Sequence, residues 1–308
     1  MITRFFNHSK PIAYILVSLI FGIAFFFENF ISLDFEFDSA YVLRKIGIFI
    51  VFLLLLFVLN FILKRNKIQK QNTYTLSIFV LLLIAFPEVL RAEKLIISYI
   101  FLLFAVRRII SLKNNKFFKQ RIFDAGFCLF FASVLEPSHL LFAVVIYYAI
   151  LLYASQNYRY FILPILGFLV GLVLHTTYML ITEDQFVNYI EYLPEIRLES
   201  HMFADFKYGF LLVLNLLFLI WSLFQMPKVF SQAKLHQRKS LNVFNVILVI
   251  SLVILIFNHR SFYEDALYFV LPISIFMGNY FQLKTTKTYM KEIIYALMII
   301  GILVSALY

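Results

Sequence analysis

Long apolar runs broken by short polar clusters organise the chain, and most runs approach the roughly 17–25 residues that carry a helix across a bilayer. Eleven such runs lie at approximately 11–31, 46–63, 74–90, 94–112, 122–135, 138–154, 160–182, 208–226, 241–258, 264–283 and 292–308. Only a helix satisfies every backbone group within a single spanning segment, so each run is expected to be helical. The run 74–90 is interrupted by Pro87. The short run 122–135 meets 138–154 at the sequence LEPSH, which predicts either a tight helical hairpin or a re-entrant pair. The first run follows a basic N-terminal segment, as a signal peptide would, but it is long and ends in Glu28–Asn29 without a small-residue cleavage pattern. It reads as an uncleaved first helix.

The polar clusters alternate in charge. The N-terminus and the clusters at 64–71, 107–121, 157–159, 227–239 and 284–291 hold 20 of the 27 Lys and Arg residues. The intervening clusters hold 15 of the 17 acids, with Glu28 counted among them. Basic loops stay on the cytoplasmic side, so the alternation predicts an N-in/C-out topology for about eleven spans. The expected fold class is therefore all-α, a polytopic transmembrane helical bundle forming a single integral membrane domain over 1–308. Outer loops fall at about 32–45, 183–207 and 259–265, and basic cytoplasmic loops at 64–73, 107–121, 227–240 and 284–291. A bacterial inner-membrane, multi-pass location follows from the same reading.

Composition sharpens this picture. Hydrophobic residues make up 63% of the chain and charged residues 14%, with 39 Phe and 19 Tyr. Soluble and disordered classes are excluded. The formal net charge of +10 is a sidedness signal rather than a nucleic-acid footprint. A lone cysteine, Cys128, permits neither an intrachain disulfide nor a cysteine metal cluster. No internal repeat is visible, and no nucleotide-binding or hydrolase motif occurs. The spacing of Gly167 and Gly171 fits a close helix–helix contact.

Candidate chemistry gathers on the acidic side. In the first outer loop Asp34, Glu36 and Asp38 alternate with Phe35 and Phe37, which would set the carboxylates on one side of an extended strand. Such groups suit a general base, and their oxygens suit an optional divalent cation, Mg²⁺ or Mn²⁺, with Asp34 and Asp38 as ligands. Glu136, followed by Pro137, Ser138 and His139, sits where little room remains for a loop, and an acid at that depth pairs or lines a cavity. Asp124 reads as a helix N-terminal acid beside Arg121. His175 lies inside the seventh run, with Thr176 and Thr177 as candidate partners. Seven bases oppose the orientation bias: Arg44, Lys45, Arg91, Lys94, Arg197, Lys207 and Arg260. They suit a phosphate or lipid head group, or else ion pairs with Glu88, Glu93, Glu264 and Asp265. In the loop 183–207, Phe186, Val187, Ile190 and Leu193 form one apolar face opposite Asp184, Asn188 and Glu191, as in a short interfacial helix.

Three segments carry a resemblance. FDSAY (37–41) resembles the acidic first extracytoplasmic loop of GT-C superfamily glycosyltransferases. FASVLEPSHLLF (131–142) is similar to a lysine–proline–serine segment of those enzymes, and HRSFYEDALYFVLPISIFMG (259–278) to their late segment, in which an outer Arg precedes a proline-containing helix. The residue usage is also similar to that of multi-span membrane proteins of Bacteroidota. The resemblance implies a GT-C-like scaffold that transfers a sugar from a polyprenyl-phosphate donor to an envelope acceptor. Asp38 would act as general base with Glu36 and Asp34 beside it, Arg260 or Arg91 would hold the leaving phosphate, and Glu136, His139 and His175 would line the substrate cavity. Implied partners are membrane lipids, polyprenyl phosphate and a membrane or periplasmic protein, with no nucleic acid. Two other functions remain open at this level: a non-enzymatic membrane subunit of an envelope assembly or secretion complex, and a lipid or polysaccharide transporter.

Overall fold

The structure, a computed structural model, describes residues 2–8, 10–31, 38–114, 117–154, 157–184, 186–189, 206–257, 264–283 and 286–307. The helices are α1 (Ile2–Phe6), α2 (Pro11–Phe26), α3 (Ser39–Arg65), α4 (Tyr74–Ile84), α5 (Pro87–Arg91), α6 (Glu93–Ile110), α7 (Phe118–Leu135), α8 (Ala143–Ala154), α9 (Leu163–Glu183), α10 (Phe206–Gln232), α11 (Leu235–Phe257), α12 (Ala266–Phe281) and α13 (Thr288–Leu307). Short turns of other pitch occur at Phe27–Ile31, Ser111–Asn114, Pro137–Phe142 and Tyr158–Phe161. Among the described residues there is no strand.

Each apolar run of the sequence falls on a helix. Six segments among the described residues are long and apolar enough to cross a membrane: Pro11–Ile31, Ser39–Arg65, Glu93–Lys113, Pro137–Ala154, Tyr158–Glu183 and Gln237–Leu255. Helices α4 and α12 are apolar but shorter. Among the described residues the protein is thus all-helical, with helices suited by length and composition to a membrane. Several helices outrun their apolar cores. Helix α3 begins at Ser39 rather than near 46, because the Asp38 carboxylate caps it. Most of the basic stretch 227–240 is helical, shared between α10 and α11, since Lys, Arg and Gln are good helix formers.

The chain forms two compact units. The first comprises 1–93, 198–238 and 260–308. At its centre α4 packs on α12, every residue of which is buried, with α2 and α13 also against α4. Helices α2 and α3 run antiparallel and are joined by stacked rings, Phe21 on Phe52 at 4.0 Å between centroids and Phe25 near Phe49 at 5.6 Å.

The second unit comprises 94–197 and 239–259. Its tightest contact is α7 against α9, and glycines on both helices permit it. A Cβ on Gly126 would lie 2.1 Å from the Pro164 carbonyl oxygen, and one on Gly167 equally close to that of Phe123. Gly171 faces the Phe130 ring. The predicted Gly167–Gly171 contact is therefore realised. Between α7 and α8 the connection is a single extended residue, Glu136, followed by the tight turn Pro137–Phe142.

Candidate functional site

In the first unit three breaks in helix geometry meet the same group of side chains. Helix α2 does not end cleanly: Phe27–Ile31 widen into a π-helical turn. Asn29, fully buried, holds that turn. Its Nδ2 donates to the carbonyls of Phe25 at 2.9 Å and Leu90 at 3.3 Å. The Tyr41 hydroxyl donates to the Asn29 carbonyl at 3.1 Å. Asn29 Oδ1 is buried without a hydrogen-bond partner among the described residues. A second break separates α4 from α5 ahead of Pro87, whose ring removes a backbone donor. The third lies at Ala92, where ψ is 73° and the chain turns into α6.

These breaks bring together charges from distant parts of the sequence. Arg91, at the end of α5, forms a short ion pair with Glu28 from the π turn. Glu93, first residue of α6, pairs with Lys45 at 2.6 Å and Arg44 at 3.3 Å. The Lys45 side chain is 6% exposed, and both cations also lie over the Tyr41 ring. Glu88 stands on the same short helix as Arg91. Glu28 further lines an apolar cavity of about 310 Å³ together with Ile23, Phe27, Ile84, Pro87 and Leu90. A carboxylate that lines a space shaped for hydrocarbon is therefore held by a guanidinium. Arg carries five N–H donors in a planar fork whose geometry matches carboxylate and phosphate oxygens.

Of the site residues read from the sequence, Arg91 enters this cluster, paired with Glu28. Asp38 lies on the same unit, but its carboxylate accepts the Ala40 backbone N–H at 3.0 Å and so caps α3. Asp34, Glu36 and Arg260 lie outside the described residues, as does most of the expected interfacial helix in 183–207; Phe186–Asn188 have no regular structure. Among the described residues no group of three or more His, Cys, Asp or Glu side chains is placed to hold a metal ion.

Glu136, His139 and His175 belong to the second unit. Glu136 and His139 are fully buried at the α7–α8 break. Ser138 Oγ donates to the Glu136 carboxylate at 3.0 Å, His139 Nδ1 lies 3.3 Å from the Ala132 carbonyl, and the Tyr99 ring packs beside the imidazole. His175 Nδ1 meets the Tyr189 hydroxyl at 2.8 Å, and Thr176 meets the same hydroxyl at 2.9 Å. The partner of His175 is thus Tyr189, while Thr177 bonds its own helix backbone. Asp124 pairs with Arg108 of α6 at 3.2 Å, and it lies beyond the first turn of α7 because that helix starts at Phe118 rather than near 122.

The expected ion pairing of the outer bases with Glu93 is realised at Arg44 and Lys45, whereas sequence reasoning missed Glu28, Asn29 and Tyr41 as members of the same group. One signal was available: Glu28 is an acid inside the predicted span 11–31, and such an acid marks a site by default. No curated protein and no solved structure matches the chain. One family model does match, over residues 1–308, and the chain belongs to that family, DUF6427, a family of unknown function.

Proposed function

We propose that the protein is an inner-membrane enzyme with about eleven spans, N-in/C-out, that works at its acidic, extracytoplasmic face on a lipid-linked sugar. It transfers the sugar from a polyprenyl phosphate to an envelope acceptor, as the GT-C resemblance implies. The observation that supports this reading is that Glu28, which lines an apolar cavity, is paired with Arg91. The cavity suits part of an isoprenoid chain, and Arg91 suits its phosphate, bidentately. Glu28 then replaces Asp38 as the group that takes the acceptor proton while the phosphate leaves the anomeric carbon, since the Asp38 carboxylate is engaged in capping α3.

Lipid mass spectrometry of a deletion strain tests this. Loss of the gene should raise the pool of polyprenyl-phosphate sugar, and complementation by Glu28→Gln or Arg91→Ala should fail to lower it. An unchanged pool and unchanged envelope glycans in the deletion strain would remove the enzymatic reading. One observation favours a second reading, a non-enzymatic membrane subunit: both nearby acids, Glu28 and Asp38, already serve local structure. Under it, every acid substitution that folds leaves the lipid pool untouched, and the protein co-purifies with a membrane partner.

A further inference from the structure

Helices α2 and α3 are zipped by phenylalanines along one half of their length only. Towards the opposite end a cavity of about 420 Å³ opens between the two helices. Its walls are Val17, Leu53, Leu56, Phe57 and Leu76, so most of it is hydrocarbon. Its remaining lining is polar: Tyr14, Ser18 and Asn60. Beside it stands Lys64, one turn beyond Asn60. Lys64 Nζ donates to the Tyr14 hydroxyl in a short bond, and Tyr14 donates in turn to Asn60 Oδ1 at 3.4 Å. The ammonium also lies 4.8 Å from the Tyr14 ring centroid, a cation–π contact. No carboxylate among the described residues pairs with Lys64.

That combination selects its ligand. A half-buried ammonium without a carboxylate partner favours an anion, and it keeps two N–H donors after its bond to Tyr14. The apolar walls favour a hydrocarbon chain continuous with that anion. Lys64 sits where Arg65, Lys67 and Lys70 also gather, the kind of helix end that meets an anionic leaflet. We infer that the groove between α2 and α3 is a binding site for an anionic phospholipid, with one acyl chain in the cavity and the phosphate on Lys64. Tyr14, fixed by Asn60, positions the ammonium, and the Asn60 amide and Ser18 hydroxyl supply further donors at the glycerol level. This site shares no residue with the Glu28–Arg91 cluster and does not depend on the proposed activity.

The test purifies the full-length protein from membranes containing phosphatidylcholine and phosphatidylglycerol and measures, by lipid mass spectrometry, the phosphatidylglycerol retained per protein. The wild type should be enriched in phosphatidylglycerol over the bulk membrane. Lys64→Gln should lower that enrichment about fivefold, the effect of the ~1 kcal/mol that one Lys contributes near an anionic surface. Lys64→Arg should retain it. Leu53→Trp, which fills the cavity and leaves the charge in place, should also lower it. Absence of enrichment in the wild type, or enrichment unchanged in Lys64→Gln, would overturn the assignment. Enrichment kept by Leu53→Trp would overturn it too, because the lipid would then be held by surface charge alone.

Discussion

Replacing Gly167 by Ala sets two effects of known sign against each other. Alanine favours a helix over glycine by about 1 kcal/mol, through reduced backbone freedom in the unfolded chain. Against this, the new Cβ would lie 2.1 Å from the Phe123 carbonyl oxygen and 2.9 Å from the Phe127 amide nitrogen. Relaxed carbon–oxygen contacts fall near 3.3 Å or beyond, so α7 and α9 must part locally by roughly 1 Å. Both opposing atoms are backbone and cannot swing aside. A gap of that size forfeits about a quarter to a half of each dispersion contact along the seam, and overpacking of this kind costs about 1–3 kcal/mol or more. The clash wins, and Gly167→Ala should lower stability by about 1–3 kcal/mol. Gly47 provides the control, since it lies within α3 and a Cβ there meets nothing within 4 Å. Gly47→Ala should therefore stabilise by up to about 1 kcal/mol. Cys128, the one cysteine of the chain, sits half-buried on α7, so thermal unfolding followed by a thiol-reactive dye reports on this helix. Combining Gly126→Ala with Gly167→Ala should cost less than the sum, because parted helices already accommodate the second methyl. If Gly167→Ala is as stable as the wild type, the close approach of α7 and α9 is wrong.

Arg91→Gln and Glu28→Gln should each destabilise by about 1–3 kcal/mol, between the values for exposed and buried pairs, since Glu28 is 14% exposed and Arg91 40%. The double variant should recover part of that loss in a thermal-unfolding cycle, and a coupling near zero would show that the pair does not form. Asp38→Ala should cost about 0.5–2 kcal/mol through the lost α3 cap, whereas Asp38→Asn should lose little; equal stability of wild type and alanine variant refutes the capping role. Glu136→Gln retains an acceptor for Ser138 Oγ and should unfold close to the wild type, while Glu136→Ala leaves a buried hydroxyl without that acceptor and should cost about 1–3 kcal/mol. Similar denaturation midpoints for the two would contradict the buried contact.

The helices were legible because the bilayer demands long apolar runs and water-filled ends demand polar ones, a pattern independent of tertiary detail. The break at Pro87 was legible for an equally local reason, the missing backbone donor. Helix ends were less so. The apolar edge of a run marks where hydrocarbon ends, but Asp38 extends α3 beyond that edge with one side-chain hydrogen bond. The pairing of Arg91 with Glu28 could not be read from sequence: the turns at Phe86 and Ala92 bring Arg91 to a residue contributed by another element some sixty positions away. The same holds for His175, whose partner Tyr189 comes from beyond the end of α9.

The π turn at Phe27–Ile31 explains why the site itself escaped a pattern-based reading. No Pro or Gly lies within it, so nothing local asks the helix to widen there. Its support is tertiary: Asn29 reaches the Leu90 carbonyl and Tyr41 reaches back to Asn29. Irregular backbone at membrane depth survives only where protein groups satisfy it or where it lines a cavity, and here both conditions hold. A regular α2 would need neither Asn29 nor Tyr41 for its own backbone. The widened turn instead brings Glu28, which lines an apolar cavity, to Arg91. Local rules and tertiary structure part company at this turn, which is where a fold gives up regularity to position polar groups. The breaks around Phe86 and Ala92 converge on the same pair, so three departures from regular helix in the first unit serve one pair of charges, Glu28 and Arg91.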